Sequence, residues 1–305
     1  MIILGGTASA PLAEKVAKEV GEKPGRLEIK RFPDGDKYVR ILEEVKGQNT
    51  VLIQSLYHKP DQHIFADQHI FELLLIVDTL RDLGANTITV VAPYMAYTRQ
   101  DSRFFPGEAV SSQTIARLLE DMGTTKFLTV DCHLHRLGDV AKIFKIPAQN
   151  LSAMPLLGKY ASENLHPKKP IVIGPDEEAE QWAATVAKEL NAEHIVFQKK
   201  RIRKEGATTS KVEITTDGGV DLKGRDIVFA DDIISTGGTL AEATRICKKM
   251  GARRIYALCT HPVLADGALK RVKSAGIQRV VGTDTIPSSV SQISVAPIIA
   301  AALKS

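Results

Sequence analysis

The sequence predicts an α/β protein with mainly parallel sheets flanked by helices, and three observations support this. Short apolar runs alternate with segments of helical periodicity along the 305 residues, as in parallel strands joined by helices. A helix, Gly-Ala, strand pattern occurs once in each half of the chain. A strand-like run that ends in two aspartates leads into a glycine-rich loop and a further helix. Together these features predict two related α/β domains.

The first half begins with a short strand in MIILGG and a helix whose apolar residues Leu12, Val16 and Val20 recur every four positions. Gly21 ends this helix, because glycine readily adopts the left-handed conformation found after helix C-termini. The later elements predicted in this half are the strand Val51 to Leu56, the helix Phe65 to Leu83, the strand Thr87 to Ala92, the helix Ser112 to Met122 and the strand Phe127 to Asp131.

A second α/β set begins after Pro147. Its predicted elements are the strand Ile171 to Gly174, the helix Glu177 to Leu190, the strand His194 to Gln198, the strand Ile227 to Ala230, the helix Thr239 to Met250, the strand Arg254 to Cys259 and the helix Ala265 to Ser274. We therefore predict an N-terminal domain over residues 1–147 and a C-terminal domain over 148–292. The last helix, about 293–305, is expected to pack back on the N-terminal domain.

The two halves share a pattern around a Gly-Ala pair. Asp82 to Val90 (DLGANTITV) resembles Lys249 to Ala257 (KMGARRIYA), and a strand and a helix precede each copy. One βαβ unit present twice would explain this match. Only the second copy has an Asp-Asp pair and glycines in its loop, since Tyr57 to Gln62 in the first copy lacks both.

Composition limits the possible function. Charged residues make up 25% of the chain and hydrophobic residues 44%, and the formal net charge is +4, which is ordinary for a globular protein. The absence of a polybasic block argues against nucleic acid as a partner. The three cysteines are scattered, the N-terminus lacks signal-peptide features, and no apolar run is long enough to cross a bilayer. We therefore expect a soluble cytoplasmic protein.

The segment from Asp226 to Ala243 (DIVFADDIISTGGTLAEA) predicts a sugar-phosphate site. Its strand ends in Asp231 and Asp232, whose carboxylates can accept hydrogen bonds from vicinal sugar hydroxyls. In the loop Ser235-Thr236-Gly237-Gly238-Thr239, the hydroxyls and backbone N–H groups suit a phosphate. An ordinary strand-to-helix turn is the alternative, but two adjacent acids at a buried strand end are costly without a partner.

Three further polar segments follow predicted strands, at the sheet edge where α/β proteins bind ligands. They are PYMAYTRQD at 93–101, DCHLH at 131–135 and QKKRIRKEG at 198–206, the last leading from a strand into a predicted loop. Each is weak evidence alone, since a charge run is usually a solvated surface. Together with the sugar-phosphate loop they are typical of one enzyme family.

With these segments the chain resembles the ribose-phosphate diphosphokinases, also called PRPP synthetases, and is most similar to archaeal-type members. The resemblance runs from RFPDGDKYVR (31–40) through GPDEEAEQW (174–182) to SQISVAPIIAAAL (291–303), and so covers nearly the whole chain. It implies two phosphoribosyltransferase-like domains related by a pseudo-twofold axis. It also implies a transferase of nucleotide biosynthesis that moves pyrophosphate from ATP to the 1-hydroxyl of ribose 5-phosphate and releases AMP.

The resemblance also implies roles for individual residues. ATP would be bound by Phe32, Asp34, Asp36, Arg99, Gln100 and Asp101. Ribose 5-phosphate would be bound by Asp231, Asp232, Ser235, Thr236, Gly237, Gly238 and Thr239. Mg²⁺ would be the cofactor at His133 and Asp176, and Lys199 and Arg201 would be the catalytic residues of a flexible loop. The segment from Phe32 to Asp36 would reach the adenine pocket of a neighbouring subunit, which implies a homo-oligomer with an interfacial active site.

Two other functions stay open at this point. A phosphoribosyltransferase would use the same glycine loop but would not need RQD, DCH and KKR together. A catalytically silent regulatory relative would have lost part of this chemistry, which is complete here. Cys132, His133 and His135 allow a zinc interpretation, which is disfavoured because adjacent strand residues face opposite ways and the sequence holds no second ligand cluster.

Overall fold

The computed structural model of the chain describes residues 1–59, 64–103, 105–134, 138–202, 211–216 and 220–304, with the backbone alone for 199–202 and 211–216. The chain divides into two compact units. Unit 1 comprises Met1–Ser152, Asp284–Ile286 and Ser294–Ser305, and unit 2 comprises Ala153–Thr283 and Pro287–Ile293. Among the described residues, no helix is long and apolar enough to cross a membrane.

Unit 1 is built on a five-stranded parallel sheet. Its elements in chain order are β1 (Ile2–Gly5), α1 (Ala10–Val20), β2 (Leu27–Arg31), β3 (Lys37–Ile41), β4 (Asn49–Ile53), α2 (Ala66–Asp82), β5 (Thr87–Ala92), α3 (Ser111–Met122), β6 (Lys126–Val130) and β7 (Ala148–Leu151). The sheet has the order β1-β4-β5-β6-β7, and β2 and β3 form a separate antiparallel hairpin. Leu52, Val90 and Phe127 are fully buried in its core.

Unit 2 is built on a seven-stranded sheet. Its elements are α4 (Met154–Tyr160), β8 (Ile171–Gly174), α5 (Glu180–Leu190), β9 (Glu193–Ile202), β10 (Lys211–Thr216), β11 (Asp226–Ile233), α6 (Gly238–Lys249), β12 (Arg254–His261), α7 (Ala268–Ala275), β13 (Arg279–Thr283) and β14 (Ser291–Ile293). The order is β10-β9-β8-β11-β12-β13-β14, and only the β9–β10 pair is antiparallel.

Both faces of the unit 2 sheet are covered. Along β11, Ile227 and Phe229 enter one apolar cluster, while Val228 and Ala230 enter the cluster on the other side. A strand that is buried on both faces has no polar alternation, which is why this part of the sequence is a continuous apolar run.

The last helix of the chain, α8 (Ala296–Lys304), belongs to unit 1. The Nζ atom of Lys304 donates to the carbonyl oxygen of Glu19 in α1 at 2.9 Å, and Lys126 Nζ donates to the carbonyl of Ala302 at 3.2 Å. Ile299 is fully buried. The C-terminal segment therefore closes the core of unit 1.

The predicted α/β fold is confirmed, and the internal repeat has a structural basis. β4-α2-β5 and β11-α6-β12 are both βαβ units in which the two strands are parallel neighbours. The registers begin at equivalent points, with Asn49 opposite Thr87 and Asp226 opposite Arg254. The Gly-Ala pair lies in both cases between the helix and the second strand.

Several predicted strand ends are wrong: β4 ends at Ile53 and not at Leu56, and β12 continues past Cys259 to His261. Two further differences concern predicted site residues. β9 continues past Gln198 to Ile202 because its end pairs with β10, where Lys199 lies opposite Ile214. β11 continues past Ala230 to Ile233 because it pairs with β12, where Asp231 lies opposite Cys259. Lys199 and Arg201, which were predicted on a flexible loop, thus lie on β9. Asp231 and Asp232, which were predicted at the end of their strand, lie within β11.

Candidate active site

Two aspartates end the central strand of unit 2. Asp232 is buried with 3% exposure, whereas Asp231 is partly buried. The backbone N–H of Asp232 donates to Asp231 Oδ1 at 3.0 Å, which holds that carboxylate beside the strand. The pairing of β11 with β12 fixes both residues at the carboxyl edge of the parallel strands, where ligands of α/β proteins bind.

A third carboxylate faces this pair from the neighbouring strand. Asp176 follows β8, which is paired with β11 so that Ile173 lies opposite Phe229. Burial, followed by the charges of Asp232 and Asp176, raises the pKa of Asp231 well above its usual value. Acidic groups that disfavour one another's ionisation form a site that suits hydroxyl donors.

The glycine-rich loop follows the acidic pair. Gly237 has φ 70° and precedes the first residue of α6, and the first hydrogen bond of that helix runs from Ala241 N to Gly237 O at 2.9 Å. The N–H groups before Ala241 therefore lie at the open N-terminal end of the helix. A Cβ atom on Gly237 would lie 2.7 Å from Val272 Cγ1, so glycine is required here by both conformation and space.

Two segments of unit 1 that follow adjacent strands carry predicted site residues, one for ATP and one for the metal. After β5, Arg99 is exposed and Asp101 is buried, and the Gln100 Nε2 atom donates to Glu108 Oε2 at 3.3 Å. After β6, His133 is partly buried. β5 and β6 are parallel neighbours, with Ala92 opposite Thr129, so both segments leave the same edge of the sheet.

The two residues predicted to hold Mg²⁺ lie in different units of the chain. The structure places His133 in unit 1 and Asp176 in unit 2. His135 lies outside the described residues. Within the described ranges, no three His, Cys, Asp or Glu side chains are grouped so that they could hold a metal ion.

The β2–β3 hairpin presents Phe32, Asp34 and Asp36 at its tip. Phe32 N donates to Asp36 O at 2.8 Å and Gly35 N donates to Phe32 O at 2.9 Å, which closes a tight turn with Gly35 at φ 100°. All three residues are exposed, and Phe32 is 49% accessible to solvent. An exposed aromatic ring on a rigid turn is available to a ligand or another chain.

A buried ion pair, absent from the sequence predictions, fixes the base of this hairpin. Lys37 Nζ on β3 pairs with Glu72 Oε2 on α2, and Glu72 is fully buried. The other Glu72 oxygen accepts from Thr7 N at 2.7 Å and from Gln54 Nε2 at 2.8 Å. The only signal in the sequence is that Lys37 directly follows the RFPDGD motif.

We expect Glu72→Gln to lower the free energy of unfolding of the protein by about 3–5 kcal/mol, because it leaves the Lys37 ammonium buried without its counter-charge. Urea unfolding would measure this. Glu28→Gln on the same hairpin is the matched control, since the Lys30–Glu28 pair is exposed to solvent and its loss should change the stability little. Equal effects of the two substitutions would contradict the prediction.

Comparison with known proteins places these features in a family. Residues 1–123 match the N-terminal domain of ribose phosphate pyrophosphokinase, and residues 139–295 match the phosphoribosyl transferase domain. The ribose-phosphate pyrophosphokinase of Methanothermobacter thermautotrophicus is 40% identical over 303 residues, covering 99% of this chain and 100% of the relative. This chain belongs to the ribose-phosphate pyrophosphokinase family.

Other members support the assignment. The ribose-phosphate pyrophosphokinase of Sulfurisphaera tokodaii is 38% identical over 299 residues, covering 98% of this chain and 97% of the relative. The crystal structure of phosphoribosylpyrophosphate synthetase from Mycobacterium smegmatis matches with a TM-score of 0.83 at 28% identity, covering 99% of this chain and 97% of the other. Because the match includes the N-terminal domain of ribose phosphate pyrophosphokinase, a phosphoribosyltransferase function is not favoured. The full-length relatives are named as pyrophosphokinases, so a catalytically silent protein is not favoured either.

Proposed function

We propose that this member of the family transfers pyrophosphate from ATP to the 1-hydroxyl of ribose 5-phosphate, giving phosphoribosyl diphosphate and AMP. The observation that carries the proposal is the acidic end of β11 followed directly by the Gly237 loop and the N-terminus of α6. A site with hydroxyl acceptors beside phosphate donors suits a sugar phosphate.

Within this function, unit 2 would hold the acceptor. Asp231 and Asp232 would accept hydrogen bonds from the ribose hydroxyls, and the segment from Ser235 to Thr239 would bind the 5-phosphate through backbone N–H groups and hydroxyls. The ribose hydroxyls and the 5-phosphate would then both be bound by residues that β11 and α6 hold in place. This would keep the 1-hydroxyl in the position needed for in-line attack on ATP.

Unit 1 would hold the donor. Arg99, Gln100 and Asp101 would bind ATP, and the hairpin tip from Phe32 to Asp36 would contact the adenine bound by another subunit of a homo-oligomer. The exposed ring of Phe32 supports this, because an aromatic side chain that is half accessible in one chain can stack on a base held by another.

Mg²⁺ would be the metal held at Asp176 and His133. Asp176 offers a hard oxygen ligand, and Mg²⁺ usually keeps several waters and takes only one or two carboxylates. His133 would act on the ion partly through water, since imidazole is not a preferred magnesium ligand. When bound, the ion would neutralise charge on the ATP phosphates.

Lys199 and Arg201 would supply the remaining positive charge to the transferring group. Phosphoryl-type transfer depends on positioning and on stabilising charge at non-bridging oxygens, so no general base is required among these residues. The backbone places both on β9, next to β10. We propose that these two cations, rather than an acid or base, dominate the rate.

The purified protein, incubated with ATP, Mg²⁺ and ribose 5-phosphate, should form AMP and phosphoribosyl diphosphate in equal amounts. No AMP should form when ribose 5-phosphate is left out. Formation of ADP instead of AMP would contradict pyrophosphate transfer, and a protein silent with all substrates present would favour the regulatory alternative.

Asp231→Asn should reduce AMP formation by at least about 100-fold yet raise the melting temperature of the free protein at neutral pH. The folded-state pKa of Asp231 is raised, so the folded chain holds this proton more tightly than the unfolded chain. Ionising Asp231 therefore costs stability as pH rises from about the usual value of 3.8 to the raised value. Asparagine cannot ionise and avoids that cost.

The pH dependence of this gain is the decisive measurement. Melting temperatures of both proteins should be closest near pH 3.8, the usual pKa of an aspartate, and should diverge as pH rises above it. Glu163→Gln, which removes an exposed carboxylate of the same unit, controls for net charge. A variant that melts below the parent protein at every pH would overturn the prediction.

A further inference from the structure

The loop at residues 235–239 of unit 2, the proposed phosphate loop, is contacted by α7 and the segment that leads into it. Leu264 N donates to Ile234 O at 2.9 Å, which extends the β11 edge toward this segment. Val272 on α7 packs beside Gly237, as the 2.7 Å approach of Cγ1 to an added Cβ shows. These contacts therefore support the loop on the side opposite α6.

Arg271 supplies the side-chain hydrogen bonds of this contact. Its Nη1 atom donates to the backbone carbonyl of Thr236, and its Nη2 atom donates to the carbonyl of Asp266 at 3.2 Å. One guanidinium therefore joins the phosphate loop to the turn before α7, using the fork of donors that distinguishes arginine from lysine. Asp266 has φ 52° and the next residue, Gly267, φ 71°, so this turn has a defined left-handed geometry.

The contact to Thr236 fixes the direction of the next N–H group. All peptide bonds of the described residues are trans, and in a planar trans peptide the C=O and N–H groups point in opposite directions. Because the Thr236 carbonyl points to Arg271, the Gly237 N–H points away from α7. Among the described residues no acceptor receives a hydrogen bond from that N–H.

We propose that Arg271 is a positioning residue for the 5-phosphate of the sugar substrate. Its hydrogen bond holds the Thr236 carbonyl, which would repel a phosphate, away from the phosphate-binding side of the loop. The Gly237 N–H is thereby directed toward the phosphate. Its positive charge also favours an anion at the loop. This inference rests on the proposed function, in which the loop binds the phosphate of ribose 5-phosphate.

The test compares Arg271→Gln and Arg271→Lys with Arg245→Gln, an exposed arginine of α6 that pairs with Glu242 away from the loop. Binding of ribose 5-phosphate is measured by calorimetry without ATP, and steady-state rates of AMP formation are measured separately. Arg271→Gln should weaken ribose 5-phosphate binding and raise its KM by about 10-fold. The KM for ATP should change by less than about twofold.

The lysine variant separates positioning from simple charge. Lysine keeps the charge but has no fork to join two carbonyls, so it should recover only part of the lost affinity. Arg245→Gln should bind like the parent protein. Unchanged binding in Arg271→Gln, equal weakening for ATP and ribose 5-phosphate, or complete recovery by lysine would overturn the role.

The binding experiment also separates this inference from the proposed function. If the parent protein binds ribose 5-phosphate but forms no AMP, the function fails while the effect of Arg271 is still measured. If it forms AMP and Arg271→Gln binds normally, the inference fails and the function stands. A parent protein that neither binds ribose 5-phosphate nor forms AMP would overturn both.

Discussion

Replacing Lys199 and Arg201 together by alanine is expected to lower kcat by about 10³-fold or more, with less than about threefold change in the KM for ribose 5-phosphate. Removing one preorganised donor to developing charge typically costs about 10²–10³ in kcat, and this variant removes two cations. In the proposed function the acceptor would be held by other residues, at the end of β11 and the start of α6, so its binding should persist. Rates of AMP formation at varied ribose 5-phosphate would measure both constants.

A control for net charge comes from the same unit. Lys188→Ala with Arg245→Ala removes one lysine and one arginine from exposed positions on α5 and α6. This variant should keep kcat within about twofold of the parent value. If the Lys199 and Arg201 variant changed only the KM, these residues would serve binding and not the transfer step.

Gly237→Ala is expected to lower kcat/KM for ribose 5-phosphate by about 100-fold. The residue has φ 70°, which costs an L-residue about 1–2 kcal/mol, and the added Cβ would meet Val272 Cγ1 at 2.7 Å. The loop must then shift, which misdirects the N–H groups that would hold the phosphate. Steady-state kinetics with varied ribose 5-phosphate would measure the loss.

Gly224→Ala is a closely matched control. Gly224 also has φ 70°, but a Cβ there would have nothing within 4 Å, and the residue lies in the turn before β11. It therefore carries the same backbone strain without the collision at the phosphate loop. Gly224→Ala should lose stability but keep its kcat/KM. Similar kinetic losses in both variants would assign the effect to backbone strain alone.

Much of this architecture could be predicted from the sequence. The strand Thr87–Ala92 was predicted at its observed bounds, as was Ile171–Gly174, because their apolar runs are bounded by polar or turn residues. The Asp-Asp pair and the glycine loop stand together in the chain, so their proximity required no knowledge of the fold. The family membership followed from such local motifs.

The strand ends could not be predicted in the same way. Whether β9 stops at Gln198 or continues to Ile202 depends on pairing with β10, whose residues Lys211–Thr216 lie farther along the chain. The polar, cationic sequence at this end of β9 does not predict a strand. Backbone hydrogen bonds to β10 stabilise it there, and those bonds leave no pattern in the side chains. The same holds for Asp231, which lies in a strand because β12 is its neighbour.

The sequence by itself determined the α/β alternation, the repeated βαβ unit and the residues of the sugar-phosphate loop, since periodicity and short motifs are local properties. Only the tertiary structure decided what supports them. Glu72 is separated from Lys37 by 35 residues and Arg271 from Thr236 by 35 residues. Contacts at that separation depend on which elements pack together, and packing is decided by the buried surfaces of the whole unit.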